Sequence, residues 1–319
     1  MRILFITSTR IGDAILSSGV LAHLIETYPG AGITVACGPL AAPLFRHAPG
    51  VDRVHVMRKR RFAGHWLSLL AATIGISWDL VVDLRGSATA YLLRARERRI
   101  LTADDRQHRV VHNAAVMGLK EPPAPKLWPG ETARAAARAL IPEGRPVLAI
   151  GPTANWPRKA WPMDYFATLI TQLTGPGGAL EDAYVMIEGA PGEDEVVRPL
   201  IDAVPPARLI NQVGSDLNTA YACFERIRLY IGNDSGLMHL AAAAGAPTLG
   251  LFGPSPEELY APWGPKAAFV RGPRTCQDIV GAPGFDLTSP DSTMTDLTVD
   301  KVRHAAQQLL DRTMEGASS

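Results

Sequence analysis

Short runs of apolar residues recur along the chain and are separated by stretches with helical periodicity. Most of the runs are continuously apolar, which is typical of parallel strands that are buried on both faces. Helical spacing follows several of them, as in residues 14–28 and 164–173. The pattern therefore predicts alternating β-strands and α-helices. The predicted strands are residues 3–6, 33–36, 54–56, 80–82, 147–150, 184–187, 229–231 and 248–252.

A proline-rich segment interrupts this alternation near the middle of the chain. Residues 119–146 read LKEPPAPKLWPGETARAAARALIPEGRP, in which prolines break both periods before a short helix around residues 132–140. We therefore expect an α/β protein with two domains, residues 1–143 and residues 144–319, each a doubly wound sheet. Such sheets bind ligands at the carboxyl ends of their strands, so a cleft between the domains is the expected site.

Length and cysteine usage are those of a globular α/β enzyme. A chain of 319 residues with 47% apolar residues can form a core in each domain. Cys37, Cys223 and Cys276 are far apart and form no CxxC pair, so we expect neither a disulfide framework nor a zinc site. The cytoplasm is the expected compartment. The longest apolar run, residues 66–78, is too short to span a bilayer.

The net charge of +1 conceals an opposite bias in the two halves. Residues 1–143 carry 19 Lys and Arg against 11 Asp and Glu, a difference of +8; residues 144–319 carry 13 against 20, a difference of −7. The basic residues cluster in RKRRF, residues 58–62, and in RARERR, residues 94–99. This bias indicates either an anionic partner, such as lipid headgroups, acidic sugars or nucleic acid, or a solvated charged face.

Two common nucleotide-binding motifs, GxGxxG after the first strand and GxxxxGK[ST], are absent from the sequence. A different phosphate site is predicted in GNDSGLMH, which lies between a strand and an alanine-rich helix. Ser235 or Asp234 can cap that helix, and Gly236 lets an anion approach its free N–H groups. His239 lies about one turn further along. The alternative is a capped helix with a buried core histidine.

A lysine-containing loop follows the first strand of the same half. The segment GPTANWPRKAWP, residues 151–162, places Lys159 between two tryptophans and among three prolines. A diphosphate at the Ser235–Gly236 helix end would take Lys159 as its counter-charge without a metal ion. A surface lysine beside packed tryptophans is the alternative.

A third polar stretch, STRIGDAILSS at residues 8–18, joins the first strand to the first helix. Gly12 permits a tight turn, and Asp13 lies at the start of the helix. Two roles fit Asp13. As a helix N-cap it would stabilise the helix by about 0.5–2 kcal/mol, and as a general base it would accept a proton from a bound hydroxyl.

These stretches, in this order, resemble glycosyltransferase family 9, the bacterial heptosyltransferases that build the inner core of lipopolysaccharide. The resemblance covers nearly the whole chain. It is carried by the blocks RIGDAILSSGVLAHLIETYPGAGITV, DLVVDLRGS, WPRKAWPMDYFATL, EGAPGEDE, GNDSGLMHLAAAAGAPTLGLFGPSPEE and DLTVDKVRHAA. It implies a GT-B fold, in which two Rossmann-like, doubly wound domains face each other across a cleft. The acceptor would bind the N-terminal domain and the nucleotide-sugar donor the C-terminal domain.

The resemblance also implies roles for individual residues. By position, Asp13 would be the general base, Lys159 the diphosphate contact and Glu193 the acid that holds the donor ribose. The family commonly has Pro-Gly where this chain has Pro152 and Thr153, so the Thr153 hydroxyl would replace a close backbone approach. The implied donor-side residues are Thr153, Asn155, Glu193, Asp234, Ser235, Gly236 and His239, and the implied acceptor-side residues are Arg10, Gly12 and Arg85.

We therefore predict an inverting glycosyltransferase that moves a sugar, with ADP-heptose as the expected donor, onto a lipopolysaccharide inner core or a related anionic glycolipid. We expect no cofactor, no metal ion and no nucleic-acid partner. The enzyme would lie peripherally on the cytoplasmic face of the inner membrane. Two alternatives stay open: a sugar-nucleotide epimerase or hydrolase, which would consume donor without acceptor, and a non-catalytic nucleotide-sugar-binding protein.

Overall fold

The protein is described by a computed structural model that covers residues 1–59, 61–102 and 106–315. Contacts divide the chain into two compact units, Met1–Gly130 and Glu131–Ser319. The division falls before the helix of residues 131–140, whereas the boundary predicted from the sequence follows it. The helix packs against another helix of the second unit, residues 217–224, and so groups with that unit.

The first unit is a parallel sheet flanked by helices. Its described elements are β1 (Arg2–Ile6), α1 (Ile11–Thr27), β2 (Gly32–Cys37), α2 (Ala42–Phe45), β3 (Val51–Val56), a 3-10 turn (Arg61–Ala63), α3 (Gly64–Thr73), β4 (Trp78–Asp83), α4 (Thr89–Leu92), β5 (Ala95–Ile100) and α5 (Arg109–Ala115). The strands lie in the order β3-β2-β1-β4-β5, and every pair is parallel.

The second unit is a larger sheet of the same kind. Its described elements are α6 (Glu131–Leu140), β6 (Val147–Gly151), a 3-10 turn (Pro157–Lys159), α7 (Met163–Thr174), β7 (Tyr184–Gly189), α8 (Asp194–Ala203), a 3-10 turn (Pro206–Arg208), β8 (Leu209–Val213), α9 (Leu217–Phe224), β9 (Leu229–Asn233), α10 (Gly236–Ala243), β10 (Thr248–Phe252), α11 (Glu257–Tyr260), β11 (Ala267–Arg271), α12 (Cys276–Val280) and α13 (Val299–Glu315). The strands lie in the order β11-β10-β9-β6-β7-β8, all parallel.

The eight predicted strands are confirmed, and three further strands, β5, β8 and β11, were not predicted. Each of the three lies at the edge of its sheet. An edge strand is covered less completely, so it needs no continuous apolar run. Strand β5 has the sequence ARERRI and exposes four consecutive residues, so its charged residues were interpreted as a basic cluster rather than as a strand.

The central strands are buried because helices cover both faces of each sheet. In β1, the four residues that follow Arg2 are fully buried, and all five residues of β6 and of β9 are buried. One face of the second sheet packs against α7 and α13 through a cluster that includes Trp161 and Phe166. No helix in the described part of the chain is long and apolar enough to cross a membrane.

Candidate active site

The order of strands in the second sheet creates a crevice at the carboxyl ends of β6 and β9. The chain runs outward through β6, β7 and β8, and then returns to the other side of β6 as β9. Gly151 at the end of β6 pairs with Gly232 near the end of β9. The connections that follow these two strands diverge in opposite directions, which is where doubly wound sheets bind their ligands.

The predicted diphosphate contact, Lys159, and two of the predicted donor-side residues, Asp234 and His239, meet at this crevice. Lys159 Nζ donates a hydrogen bond to Asp234 Oδ2 at 2.6 Å, and the two side chains are 21% and 7% exposed. His239 Nε2 lies 3.9 Å from Asp234 Oδ1 and is buried. The alternative interpretation, that Lys159 is a surface lysine, is therefore not supported. Lys159 is held in a largely buried ion pair. Charge-assisted bonds of this kind are stronger than neutral ones and fix the position of the ammonium group.

Asn233, which is not among the residues predicted from the sequence, connects the end of β9 to the lysine loop. Its side chain is fully buried. Oδ1 accepts a hydrogen bond from the backbone N–H of Trp161 at 3.0 Å, and Nδ2 donates to the carbonyl of Pro152 at 2.6 Å. The amide therefore joins the end of β9 to both ends of the lysine loop. A buried amide between two loops gives no periodic signal in sequence, and its position directly before Asp234 was the one available indication.

The N-terminus of α10 is open to a ligand. Ser235 occupies the N-cap position, but its side chain makes no capping hydrogen bond within the described residues, and the Asp234 carboxylate is paired with Lys159. The prediction that one of these side chains caps the helix is therefore wrong. Gly236 is the first helical residue, and the first N–H groups of a helix have no partner within it. Together with the helix dipole, they favour an anion at this point.

The remaining predicted donor-side residues lie on neighbouring loops. Glu193 follows β7, and its Oε2 accepts a hydrogen bond from the backbone N–H of Ala190 at 2.7 Å. An acid after the second strand of such a sheet is well placed for a ribose hydroxyl. Thr153 is buried and Asn155 is exposed, and both belong to the loop that follows β6.

Arg271, at the end of β11, organises the loop that follows β10 and is not among the residues predicted from the sequence. Its Nη2 atom donates to the carbonyls of Gly253 at 3.2 Å and Ser255 at 3.0 Å, and it forms an ion pair with Glu257. The carboxyl end of β10 lies beside that of β9. This arginine therefore stiffens one border of the crevice. Its signal in the sequence is weak, because a single arginine at the end of an edge strand has no pattern around it.

The first sheet has its own crevice, between the ends of β1 and β4, and Asp13 lies there. Asp13 is the third residue of α1, whereas the N-cap position is Arg10, whose side chain makes no capping bond within the described residues. The interpretation of Asp13 as the N-cap is therefore wrong. Asp13 is half-buried, and the Ser8 hydroxyl donates to its Oδ2 at 3.4 Å. Gly12 precedes it in the first turn.

Arg85 emerges from the neighbouring loop after β4. Asp83 ends that strand and is fully buried. Its carboxylate accepts bonds from the backbone N–H groups of Arg85 at 2.8 Å and Ser87 at 2.7 Å, and from the Ser87 hydroxyl at 2.6 Å. This network fixes the loop, and the exposed Arg85 side chain extends over the ring of Trp66, with 5.9 Å between its Cζ and the ring centroid.

In the portion of the chain that the structure describes, no group of three or more His, Cys, Asp or Glu residues is arranged to hold a metal ion. The second crevice brings a lysine, an aspartate and a histidine together. This arrangement suits an anionic ligand that carries hydroxyl groups, because a fixed ammonium group and open helix N–H groups bind phosphate oxygens, and a carboxylate accepts hydrogen bonds from hydroxyls.

Comparison with known proteins gives matches over most of the chain. Residues 62–283 match the family described as "Glycosyltransferase family 9 (heptosyltransferase)". Lipopolysaccharide heptosyltransferase 2 of Salmonella typhimurium is 26% identical over 313 residues, which covers 85% of this chain and 88% of the relative. The structure of E. coli ADP-heptose lps heptosyltransferase II superposes with a TM-score of 0.74 at 22% identity, covering 98% and 100% of the two chains. E. coli heptosyltransferase WaaC with ADP superposes with a TM-score of 0.71 at 18% identity, covering 97% and 100%.

Proposed function

The chain belongs to glycosyltransferase family 9, and on that premise we propose that it is an inverting heptosyltransferase that moves heptose from ADP-heptose onto the inner core of a lipopolysaccharide or lipooligosaccharide. Relatives named lipopolysaccharide and lipooligosaccharide heptosyltransferase 2 match across most of its length. The observation that carries the proposal is the buried Lys159–Asp234 pair at the open N-terminus of α10.

The two members of this pair bind different parts of the donor, because they carry opposite charges. The diphosphate binds at the helix N-terminus, where Lys159 and the backbone N–H groups of α10 supply positive charge. Asp234 repels phosphate and therefore faces the sugar, whose hydroxyls donate to it. His239 lies beside Asp234 and supports it, and Glu193 takes the ribose hydroxyls at the end of β7.

The reaction needs a base on the acceptor and stabilisation of a leaving group. Asp13 accepts the proton of the acceptor hydroxyl as its oxygen forms a bond to the anomeric carbon. The bond from that carbon to the diphosphate oxygen breaks with inversion, and the nucleoside diphosphate leaves with the electron pair. Lys159 and the helix N–H groups stabilise the charge that develops on it. No step requires a metal ion.

The acceptor side is proposed to be the first unit, which carries Arg10, Gly12 and Asp13 after β1 and Arg85 after the neighbouring β4. Exposed basic residues of the same unit include Arg58, Lys59, Arg94 and Arg96, and they favour an anionic glycolipid at a membrane surface. One residue of the second basic cluster, residues 94–99, has a structural role instead. Arg98 donates to the carbonyls of Ala90, Leu93 and Ala95, which surround the end of α4. Arg60, within the first cluster, lies outside the described residues.

The test combines nucleotide binding with transfer. Thermal unfolding is followed with ADP, GDP, UDP and CMP and with their sugars, and transfer is followed with ADP-heptose and a deacylated inner-core acceptor in EDTA. A ligand at 100 times its Kd adds about 2.7 kcal/mol to the unfolding free energy. We expect stabilisation by ADP compounds and acceptor-dependent turnover that survives EDTA. Consumption of donor without acceptor would instead establish the epimerase or hydrolase alternative, and turnover that requires Mg²⁺ or Mn²⁺ would contradict metal independence.

A further inference from the structure

The segment between α12 and α13, residues 281–298, lies against the lysine loop. The structure describes this segment throughout, and it forms neither helix nor strand. Its later part is nevertheless fixed by packing. Met294 and Leu297 are buried, and a Cβ atom built on Gly253, after β10, would collide with the Met294 side chain. The carbonyl of Leu297 accepts a hydrogen bond from Trp161 Nε1 at 2.8 Å. This part of the segment therefore belongs to the packed interior of the second unit.

Two consecutive hydroxyls of this segment hold the peptide groups on either side of Lys159. Ser292 Oγ donates a hydrogen bond to the carbonyl of Ala160 at 2.5 Å. Thr293 Oγ1 donates to the carbonyl of Arg158 at 2.9 Å, and the backbone N–H of Thr293 donates to the same carbonyl at 3.2 Å. The residues before and after the lysine are thus both attached to one short piece of chain.

Arg274 secures the other side of the same piece of chain. Its Nη2 atom donates to the carbonyl of Thr293 at 2.8 Å, and its Nε atom forms an ion pair with Asp296 Oδ2 at 2.6 Å. Thr293 is 7% exposed. Because Arg274 follows β11, Thr293 connects the loop after β6, in the middle of the sheet, to the chain after β11 at its edge.

We infer that Ser292 and Thr293 are positioning residues for Lys159: their hydroxyls fix the backbone on both sides of the lysine, so that its ammonium group is already in place at the N-terminus of α10 when the donor binds. The inference rests on the proposed function, in which Lys159 contacts the diphosphate.

The physical basis is preorganisation. A ligand that has to immobilise a mobile loop binds less tightly, because part of the binding free energy is lost in ordering that loop. The pair with Asp234 fixes only the end of the Lys159 side chain, and a phosphate would share that ammonium group. The bonds from Ser292 and Thr293 go to backbone carbonyls instead. A phosphate accepts hydrogen bonds, so it does not compete for these carbonyls, and the backbone stays fixed with or without the ligand.

The test follows ADP affinity by calorimetry and stability by thermal unfolding. The double variant Ser292→Ala with Thr293→Val removes both hydroxyls and changes the side-chain volumes little. We expect its ADP Kd to rise about five-fold, the equivalent of one ordinary hydrogen bond. The variants Ser292→Thr and Thr293→Ser keep a hydroxyl at each position and should bind ADP like the wild type. In a Lys159→Ala background the double variant should leave the ADP Kd unchanged, because the hydroxyls act through the lysine.

Thr288→Val with Ser289→Ala is the matched control, because it also removes two consecutive hydroxyls of residues 281–298. Thr288 Oγ1 donates to Asp286 Oδ1 at 2.8 Å, and Ser289 Oγ donates to Asp291 Oδ2 at 3.0 Å. These bonds lie within the segment and do not reach the lysine loop. The control should therefore leave the ADP Kd as it is.

Two results would overturn the inference. In the first, Ser292→Ala with Thr293→Val lowers the melting temperature but binds ADP like the wild type, which would make the hydroxyls purely structural. In the second, the double variant weakens ADP equally with and without Lys159. If the double variant does not fold, Thr293→Val alone is put through the same comparisons. A Lys159→Ala variant that binds ADP as tightly as the wild type would instead contradict the proposed function, whatever the hydroxyls do.

Discussion

Asp13 and Lys159 occupy different kinds of position, and this difference predicts different defects. Asp13 is half-buried, with the Ser8 hydroxyl as a long hydrogen-bond partner, so Asp13→Asn should fold normally. Because the amide cannot accept the proton of the acceptor, transfer should fall by roughly 10²–10⁴-fold. ADP affinity should be unchanged. Lys159→Ala should weaken ADP and also slow transfer, because a charge-assisted contact is lost in the ground and transition states alike.

Calorimetry with ADP and steady-state transfer rates distinguish these two defects. Asp300→Asn is the matched control for Asp13→Asn, because Asp300 lies in the first turn of a helix of the same length and is exposed. It should change neither quantity. Near wild-type transfer by Asp13→Asn, with folding verified by circular dichroism, would rule out Asp13 as the base.

Glu188 predicts a dependence of stability on pH. Burial raises its pKa to about 8 in the folded state, with Tyr230 and Cys223 as the titratable groups beside it. Between the ordinary carboxyl pKa and about 8, the folded protein keeps this proton and the unfolded chain releases it. The contribution of Glu188 to stability is therefore complete at low pH and is lost as pH rises through this window, with a slope that approaches about 1.4 kcal/mol per pH unit.

Urea unfolding at intervals from about pH 5.5 to 8.5 would measure this slope. The difference in unfolding free energy between Glu188→Gln and wild type should shift in favour of the variant as pH rises, because glutamine does not titrate. Glu195→Gln, at a side chain that is 87% exposed, should shift nothing. A difference between Glu188→Gln and wild type that stays constant over the whole range would show that Glu188 does not carry the proton.

At the scale of elements, the crevice depends on how β9 is attached to the lysine loop. Asn233→Ala removes the bonds to Trp161 and Pro152. Each buried group left unsatisfied costs about 1–3 kcal/mol, and the loop that carries Lys159 loses its attachment. We expect a lower unfolding free energy together with weaker ADP binding. Asn211→Ala, at an exposed amide whose Oδ1 accepts a local bond from the backbone N–H of Val213, should change both quantities little. Unaltered ADP affinity in Asn233→Ala would show that the loop is held by other contacts.

The same elements show what the sequence could and could not provide. The central strands and the helices after them were predictable, because continuous burial requires continuous apolar runs. The sequence indicated that Lys159 and the Ser235–Gly236 helix end share one diphosphate, because each follows a strand of the same half. That these two strands, β6 and β9, are neighbours was shown only by the structure. The direction of the Ser235 hydroxyl was not predictable. Its oxygen is buried and makes no capping bond, which is a matter of local packing with no periodic signature.

At the scale of the whole molecule, two parallel-sheet α/β units confirm the predicted GT-B fold. The N-terminal half of the chain, residues 1–143, has a net positive charge, and the C-terminal half has a net negative charge. The first unit also exposes apolar side chains next to its basic residues. Phe62 is 93% and Leu67 67% exposed, and Tyr91 and Leu92 on the neighbouring α4 are exposed as well. Basic residues mixed with exposed aromatic and aliphatic ones are typical of surfaces that lie on anionic membranes. The assignment of acceptor to the first unit and donor to the second stays a prediction.

We predict that this surface binds anionic vesicles through an electrostatic component and an apolar component, which can be distinguished by their response to salt. Attraction is about 1 kcal/mol per basic residue near such a surface and is screened by salt, whereas insertion of apolar side chains is not. Reversing the charges of Arg58, Lys59 and Arg61 should therefore reduce co-sedimentation at low salt to the level that persists at high salt. Phe62→Ser with Leu67→Ser should remove the part that persists at high salt. Reversal of three exposed basic residues of the second unit, Arg198, Lys301 and Arg303, is the control and should leave binding intact. Equal binding to neutral and anionic vesicles, or equal loss in the control, would exclude the first unit as the membrane-facing surface.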